Sequence, residues 1–324
     1  MKVVFWGREF LRLKEIIAGA FSCHDYFIAD PEADGDSLGT AEMLVVRPMK
    51  VGDEFLSGAP ALRLVQQWGA GAEGIDLEAC SRRGIFACNV PSLGTGNAEG
   101  VAEIAFLHML LLAKRFFRAQ EKLLEGKVYT PPGITLWKKK GCVLGLGNVG
   151  RSITSRMKAF GMTVAGVNRT PPGDGGAAWG VDAFYPLEEM AEAVRGARFV
   201  VCALALTPET EMIVGDSLFS AMDRDAFFIN VGRGPVVDRS ALERALDGGG
   251  IAGAGLDVLW EEPHRTDDPL LANPRVVVTP HIGGVNDASL EGVLRFILEN
   301  ADRLAAGEPP LSCLNGKEME RKPT

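Results

Sequence analysis

Short apolar runs bounded by glycine, proline or charge recur along the chain. Up to about residue 100 they read KVVFWG, YFIAD, EMLVVRP, LRLVQQWG and GIFACNV, with stretches of helical period such as REFLRLKEIIAGA between them. Runs of this length and punctuation predict strands, and their alternation with helices predicts a parallel α/β sheet. Next comes GNAEGVAEIAFLHMLLLAKRFFRAQEKLLEGK, Gly96 to Lys127, which predicts one long helix. Its first half is apolar enough to be buried or to lie at a subunit interface, and His108 inside it reads as a packed histidine. After a Pro-Pro-Gly break at Pro131 to Gly133 a second alternation begins. GCVLGLG predicts a strand, NVGRSITSRMKAFG a helix and MTVAGVNRT a strand. Further strands are predicted at RFVVCAL, AFFINV, AGAGLDV and RVVVTP, and a last helix near Ala288 to Ala306. The Gly/Pro-rich stretch Thr170 to Gly180 reads as a mobile surface loop.

Composition narrows the classes. A chain of 324 residues with 47% hydrophobic content suits about two packed domains. The net charge of -8 argues against a nucleic-acid partner, which needs a basic face. Local basic clusters can still exist, and one, WKKKG at Trp137 to Gly141, reads as a solvated loop before a strand. No apolar stretch reaches the roughly 20 residues of a membrane helix, and the N-terminal apolar run is too short for a signal peptide. A cytoplasmic protein without a membrane partner is expected. The six cysteines, Cys23, Cys80, Cys88, Cys142, Cys202 and Cys313, form no C-x-x-C pair. They read as buried free thiols, with neither a disulfide framework nor a metal site.

GLGNVG places Gly145, Gly147 and Gly150 in G-x-G-x-x-G spacing, directly after an apolar run and opening a helical stretch. In that context Gly145 allows a tight turn, Gly147 lets the backbone approach a pyrophosphate, and Gly150 lets helix and strand pack closely. The helix start at Asn148 and Val149 offers N–H groups and positive dipole to phosphates. The next strand ends in Asn168, followed by Arg169 and Thr170, where an NAD site places an acid. A carboxylate about 4 Å from a 2′-phosphate costs about 1 to 4 kcal/mol per charge pair. Its replacement by Asn168 beside Arg169 favours NADP(H), with NAD(H) still possible.

Three more strand ends deliver polar groups. INVGRG places Arg233 in a glycine-flanked turn, GLDVLWEEP supplies Asp257 and Glu262, and TPHIGG places His281 after the last strand. In an open parallel sheet, ligands bind at the carboxyl ends of strands. With GLGNVG and LTPET, in this order and spacing, these motifs make the whole chain closely resemble the D-isomer-specific 2-hydroxyacid dehydrogenase family, glyoxylate and hydroxypyruvate reductases included.

The resemblance implies catalytic roles for Arg233, Glu262 and His281. It places Asp257, His281, Gly283 and Gly284 beside a nicotinamide, and Val231, Gly232 and Arg233 also on the cofactor. Thr207, Pro208 and Thr210 match the segment near its phosphates and ribose. Hydride addition to a carbonyl carbon leaves an oxygen that needs a proton, and histidine suits that work because its ordinary pKa is about 6.5. A carboxylate such as Glu262 stabilises the imidazolium. The Arg233 guanidinium forks onto the substrate carboxylate. His264 lies among loop acids and reads as surface. In WGAGAEGID, Ala70 and Gly71 match backbone donors to the substrate carboxylate. Relatives that oxidise formate carry glutamine in place of Glu262, which disfavours formate here. The resemblance also implies two Rossmann-like or flavodoxin-like parallel domains. The substrate domain, 1–99 plus 283–324, is interrupted by the cofactor domain, 100–282. The loop from Pro91 to Val101 is longer than the commonest family form. The long helix becomes a homodimer contact. A dinucleotide-sensing protein of the corepressor type shares this architecture and is the alternative to an enzyme.

Overall fold

The computed structural model describes residues 1–171 and 177–319. The chain divides into two compact units, Met1–Gly96 with Asp287–Thr324, and Asn97–Asn286. The expected junctions differ slightly: 99/100 falls inside the helix Asn97–Ala113, and 282/283 falls in the turn before Asn286.

The first unit holds five strands: β1 (Lys2–Trp6), β2 (Asp25–Ala29), β3 (Met43–Val46), β4 (Leu64–Gln67) and β5 (Phe86–Cys88). They form a parallel sheet in the order β2-β1-β3-β4-β5. Alternate side chains of β1 serve two cores. Val3 and Phe5 join Phe10, Ile17 and Ile297 on one face, while Val4 and Trp6 join Leu44, Val65 and Cys80 on the other. Burial on both faces explains why β1 and β3 read as unbroken apolar runs, whereas the edge strand β2 is partly exposed. The helix Asp287–Ala305 returns to this unit and covers the first of those faces with Val293, Leu294, Ile297 and Ala301. REFLRLKEIIAGA is a tight 3-10 turn over Arg8–Leu13, followed by an α-helix only over Lys14–Ala20.

The second unit holds seven strands: β6 (Lys140–Leu144), β7 (Thr163–Asn168), β8 (Ala183–Pro186), β9 (Phe199–Cys202), β10 (Phe227–Asn230), β11 (Gly253–Leu256) and β12 (Val276–Val278). All pair in parallel, in the order β12-β11-β10-β9-β6-β7-β8. The strand order reverses between β6 and β9, which is the point where doubly wound folds leave a ligand crevice. β8 was not expected from the sequence. It is a half-buried edge strand ending in Pro186, so it lacks the apolar run that marked the others.

Two further expectations are corrected. The predicted single helix from Gly96 to Lys127 is two helices, Asn97–Ala113 and Phe116–Leu124, because Arg115 adopts φ 50° and breaks the ladder. That break turns Phe116 and Phe117 toward solvent, whereas Ala102, Ala105, Met109 and His108 of the first helix are buried. Among the cysteines, Cys80, Cys88, Cys142 and Cys202 are buried, Cys313 is half-buried and Cys23 is exposed. The stretch expected to be a mobile loop includes residues 172–176, which lie outside the described residues. Among the described residues no helix is long and apolar enough to cross a membrane.

Candidate active site

Because every strand of the second sheet runs the same way, the turns after β6, β7, β9, β10, β11 and β12 gather at one edge. The turn after β6 carries the glycine motif. Gly145 sits at φ 94°, a conformation that side chains rarely adopt. A side chain on Gly150 would collide with the Gly145 carbonyl, so helix Asn148–Ala159 can approach β6 only with glycine there. Gly147 is the N-cap of that helix, and nothing lies within 4 Å of where its side chain would begin. A closed turn, an open approach and a helix start together fit a pyrophosphate. Asn168 at the end of β7 accepts the Leu146 N–H at 3.4 Å and donates to the Thr170 carbonyl at 3.2 Å. Its side chain therefore spans the glycine turn and the β7 exit, beside exposed Arg169 and Thr170.

After β9, the buried Thr210 hydroxyl accepts the Thr207 N–H at 2.8 Å and donates to the Ala205 carbonyl at 2.6 Å, which curls the loop around exposed Pro208. Glu209 in this loop is held below the usual carboxylate range, chiefly by the Thr207 hydroxyl and in smaller part by Arg169. After β10, Asn230 braces the turn that contains Val231 and Gly232. Its Oδ1 accepts the Gly232 N–H at 3.0 Å and its Nδ2 donates to the Arg233 carbonyl at 3.0 Å. Asn230 was not picked out from the sequence, although it stands inside INVGRG; a buried amide, 1% exposed, between a strand and a glycine turn is the signal. Arg233 donates to the Gly232 carbonyl at 2.9 Å.

The turns after β11 and β12 meet. Nδ1 of His281 lies 2.6 Å from Oε2 of Glu262, and the other Glu262 oxygen accepts the Leu259 N–H at 3.2 Å. Burial works against ionising Glu262. The bond and charge of His281, the Leu259 N–H and the charge of Arg233 outweigh it and hold the carboxyl below its ordinary range. His281 itself sits at φ 52°, a strained region for a residue with a side chain. Asp257 supports that conformation from two sides. Its carbonyl accepts the His281 N–H at 2.8 Å, and its carboxylate accepts the N–H groups of Ile282 at 3.0 Å and Gly283 at 2.9 Å.

Behind this turn runs a chain the sequence reading missed. Thr279 donates to Asp257 at 2.5 Å and lies 3.0 Å from Nε2 of His108. An acceptor-only carboxylate sets the Thr279 proton toward Asp257, so His108 is the donor at Nε2. Burial pushes His108 down to about 4 and keeps it neutral. Burial also raises Asp257, against the pull of Thr279, Gly283, Ile282 and His281. His108 is thus packed, as expected, and bonded as well. A small concavity is lined by Asp257, Glu262, Thr279 and His281. Half-buried Gly284 completes the turn and faces the Asn97 side chain. His264 is exposed. Ala70 and Gly71 lie in the bend after β4 of the first unit, where Gly69 accepts the Val90 N–H at 2.9 Å and Ala70 accepts from Asn89 Nδ2 at 2.6 Å.

The reversed strand order and the glycine turn at its centre define a dinucleotide-binding fold. Comparison with known proteins narrows the class. A family model described as "D-isomer specific 2-hydroxyacid dehydrogenase, NAD binding domain" matches residues 106–283. The glyoxylate reductase of Pyrococcus horikoshii is 34% identical over 284 residues, which is 85% of this chain and 83% of that protein. The chloroplastic D-3-phosphoglycerate dehydrogenase 2 of Arabidopsis thaliana is 34% identical over 88% of this chain and 45% of its own. The crystal structure of TT0316 protein from Thermus thermophilus superposes with a TM-score of 0.80 at 28% identity, covering 97% of this chain and 100% of that one. The chain belongs to the D-isomer specific 2-hydroxyacid dehydrogenase family, and it is an NAD(P)-dependent dehydrogenase.

Proposed function

We propose that this protein reduces a small 2-oxo acid to the D-2-hydroxy acid, with NADP(H) favoured over NAD(H). The observation that carries the reading is the His281–Glu262 hydrogen bond of 2.6 Å, on the same strand-end edge as the glycine turn. When bound, the nicotinamide supplies the hydride. His281 gives its Nε2 proton to the carbonyl oxygen of the substrate. Glu262 holds the opposite nitrogen, which orients the ring and stabilises its charged form. Arg233 pairs with the substrate carboxylate. By the family resemblance Ala70 and Gly71 are further backbone N–H donors for the substrate, and Asp257 with Gly283 and Gly284 would border the nicotinamide. Asn148 and Val149 at the helix start and the Thr207–Thr210 loop serve the phosphates and ribose.

Glyoxylate and hydroxypyruvate are the proposed substrates, since the similar archaeal proteins are glyoxylate reductases. The preference for NADP(H) rests on the neutral amide of Asn168 and the neighbouring charge of Arg169. The protein acts in the cytoplasm, where unpaired cysteines are stable. It acts as a homodimer. Leu107, Phe116, Phe117, Leu123 and Leu124 are exposed along the two helices that follow residue 96, apolar side chains that a second copy would cover.

The test is a spectrophotometric screen of NADPH and NADH against a panel of 2-oxo acids. Oxidation of NADPH with glyoxylate or hydroxypyruvate is expected. No turnover on any 2-oxo acid, with tight dinucleotide binding retained, contradicts the reading and favours a sensor.

A further inference from the structure

Cys88 closes β5, and Cys313 faces it across an isolated antiparallel bridge within the first unit. The Leu314 N–H donates to the Ala87 carbonyl at 2.8 Å, and the Asn89 N–H to the Ser312 carbonyl at 3.4 Å. Hydrogen bonds therefore flank the cysteine pair and do not join it. This is the closer kind of antiparallel pair, with Cα atoms about 4.5 Å apart and side chains on one face. Disulfides span Cα separations of about 4.4 to 6.8 Å, so the backbone already meets the requirement. The C-terminal segment is firmly seated. Buried Asn315 accepts the Ala87 N–H at 2.9 Å and donates to Ile85 at 2.9 Å and to Ser81 at 3.1 Å. Cys313 in turn lies 3.2 Å from the Asn315 side-chain oxygen.

The two thiols differ in access and acidity. Cys88 is fully buried, whereas Cys313 is half-buried. A hydrogen bond from Cys88, helped by backbone N–H groups of Asn315 and Ala87, brings the Cys313 thiol down to about 7 against the effect of burial. The same contact, with burial, pushes the Cys88 thiol up. An accessible, acidic thiol beside a buried partner is the arrangement of a sensing and a resolving cysteine.

We propose that Cys313 and Cys88 form a peroxide-oxidised pair, in which Cys313 reacts first and Cys88 closes a disulfide. The Cys313 thiolate attacks one oxygen of hydrogen peroxide, the O–O bond breaks, and hydroxide leaves a sulfenic acid on Cys313. The Cys88 sulfur then attacks the Cys313 sulfur. The S–O bond breaks, the S–S bond forms, and the Cys88 proton leaves with the hydroxyl as water. Peroxide takes the two electrons that the two thiols lose.

The link lies next to a loop assigned to substrate. Ser312 donates to Asn89 Oδ1 at 2.6 Å, and Asn89 donates to the Ala70 carbonyl at 2.6 Å. The disulfide thus ties the segment that holds Ala70. This consequence rests on the proposed function, whereas the cross-link does not.

The experiment treats the reduced full chain with hydrogen peroxide near neutral pH, blocks free thiols and maps peptides by mass spectrometry. A Cys88–Cys313 peptide, with loss of two hydrogens from the intact mass and reversal by dithiothreitol, is expected. Cys313→Ser abolishes it, Cys23→Ser leaves it, and Cys88→Ser traps a dimedone-reactive Cys313. Peroxide that drives wild-type Cys313 to sulfinic acid, or leaves both thiols free, overturns the proposal. With the link formed, KM for the 2-oxo acid shifts several-fold and recovers on reduction; an unchanged KM overturns the coupling to Ala70. Absence of turnover in the reduced protein speaks against the proposed function alone, because the peptide map is read without substrate.

Discussion

Glu262 reaches His281 across two loops, with 2.6 Å between Oε2 and Nδ1, and the two side chains are 40% and 42% exposed. So open a pair adds little to folding stability, because solvent screens it. In the proposed reaction its geometry orients the ring and stabilises the charge that develops there. Glu262→Gln keeps the size and loses the charge. Its kcat should fall about tenfold to hundredfold with a smaller change in KM, as for an interaction stronger in the transition state than in the bound substrate. Steady-state kinetics on the two proteins checks this.

The proposed discrimination between cofactors rests on Asn168. Asn168→Asp brings a negative charge to the end of β7 and can no longer donate to the Thr170 carbonyl, now 3.2 Å away. NADPH affinity should fall at least about fivefold relative to NADH, the lower end of a like-charge cost of about 1 to 4 kcal/mol. Fluorescence titration of both nucleotides measures the ratio, and tighter NADH binding by the wild-type protein ends the assignment of NADP(H).

The glycines of the β6 turn separate folding from binding. Gly147 faces open space, so Gly147→Ala should leave thermal stability unchanged and weaken dinucleotide binding. Gly150 is closed by the Gly145 carbonyl, so Gly150→Ala should lower the melting temperature as well. Differential scanning fluorimetry with and without NADPH distinguishes the two.

His108 gives the second unit a pH dependence of stability. Its folded value, about 4, lies below the 6.5 of an unfolded histidine. Between those values the unfolded chain binds the extra proton, so stability is complete above pH 6.5 and is lost as pH falls toward 4. The loss is about 3 kcal/mol at 1.36 kcal/mol per unit. Denaturant unfolding at several pH values should show this slope in the wild-type protein and lose it in His108→Leu.

Much of this arrangement is legible in the sequence because the strands are buried on both faces and punctuated by glycine. The turn at Gly145, the acid at Glu262 and the imidazole at His281 each follow such a run. What escaped is of two kinds. β8 and the break at Arg115 depend on edge exposure and a single backbone angle, which periodicity does not register. The His108–Thr279–Asp257 chain and the Cys88–Cys313 bridge depend on which elements the sheets bring together. Those contacts join residues far apart in the chain and leave no local mark.

The most direct test of the proton-transfer role is His281→Ala, assayed with NADPH and saturating 2-oxo acid and titrated in parallel for NADPH binding. Turnover should fall by about 10²- to 10⁴-fold, the usual contribution of a positioned acid or base, while nucleotide affinity stays near that of the wild-type protein. Near-normal turnover in the variant contradicts the account.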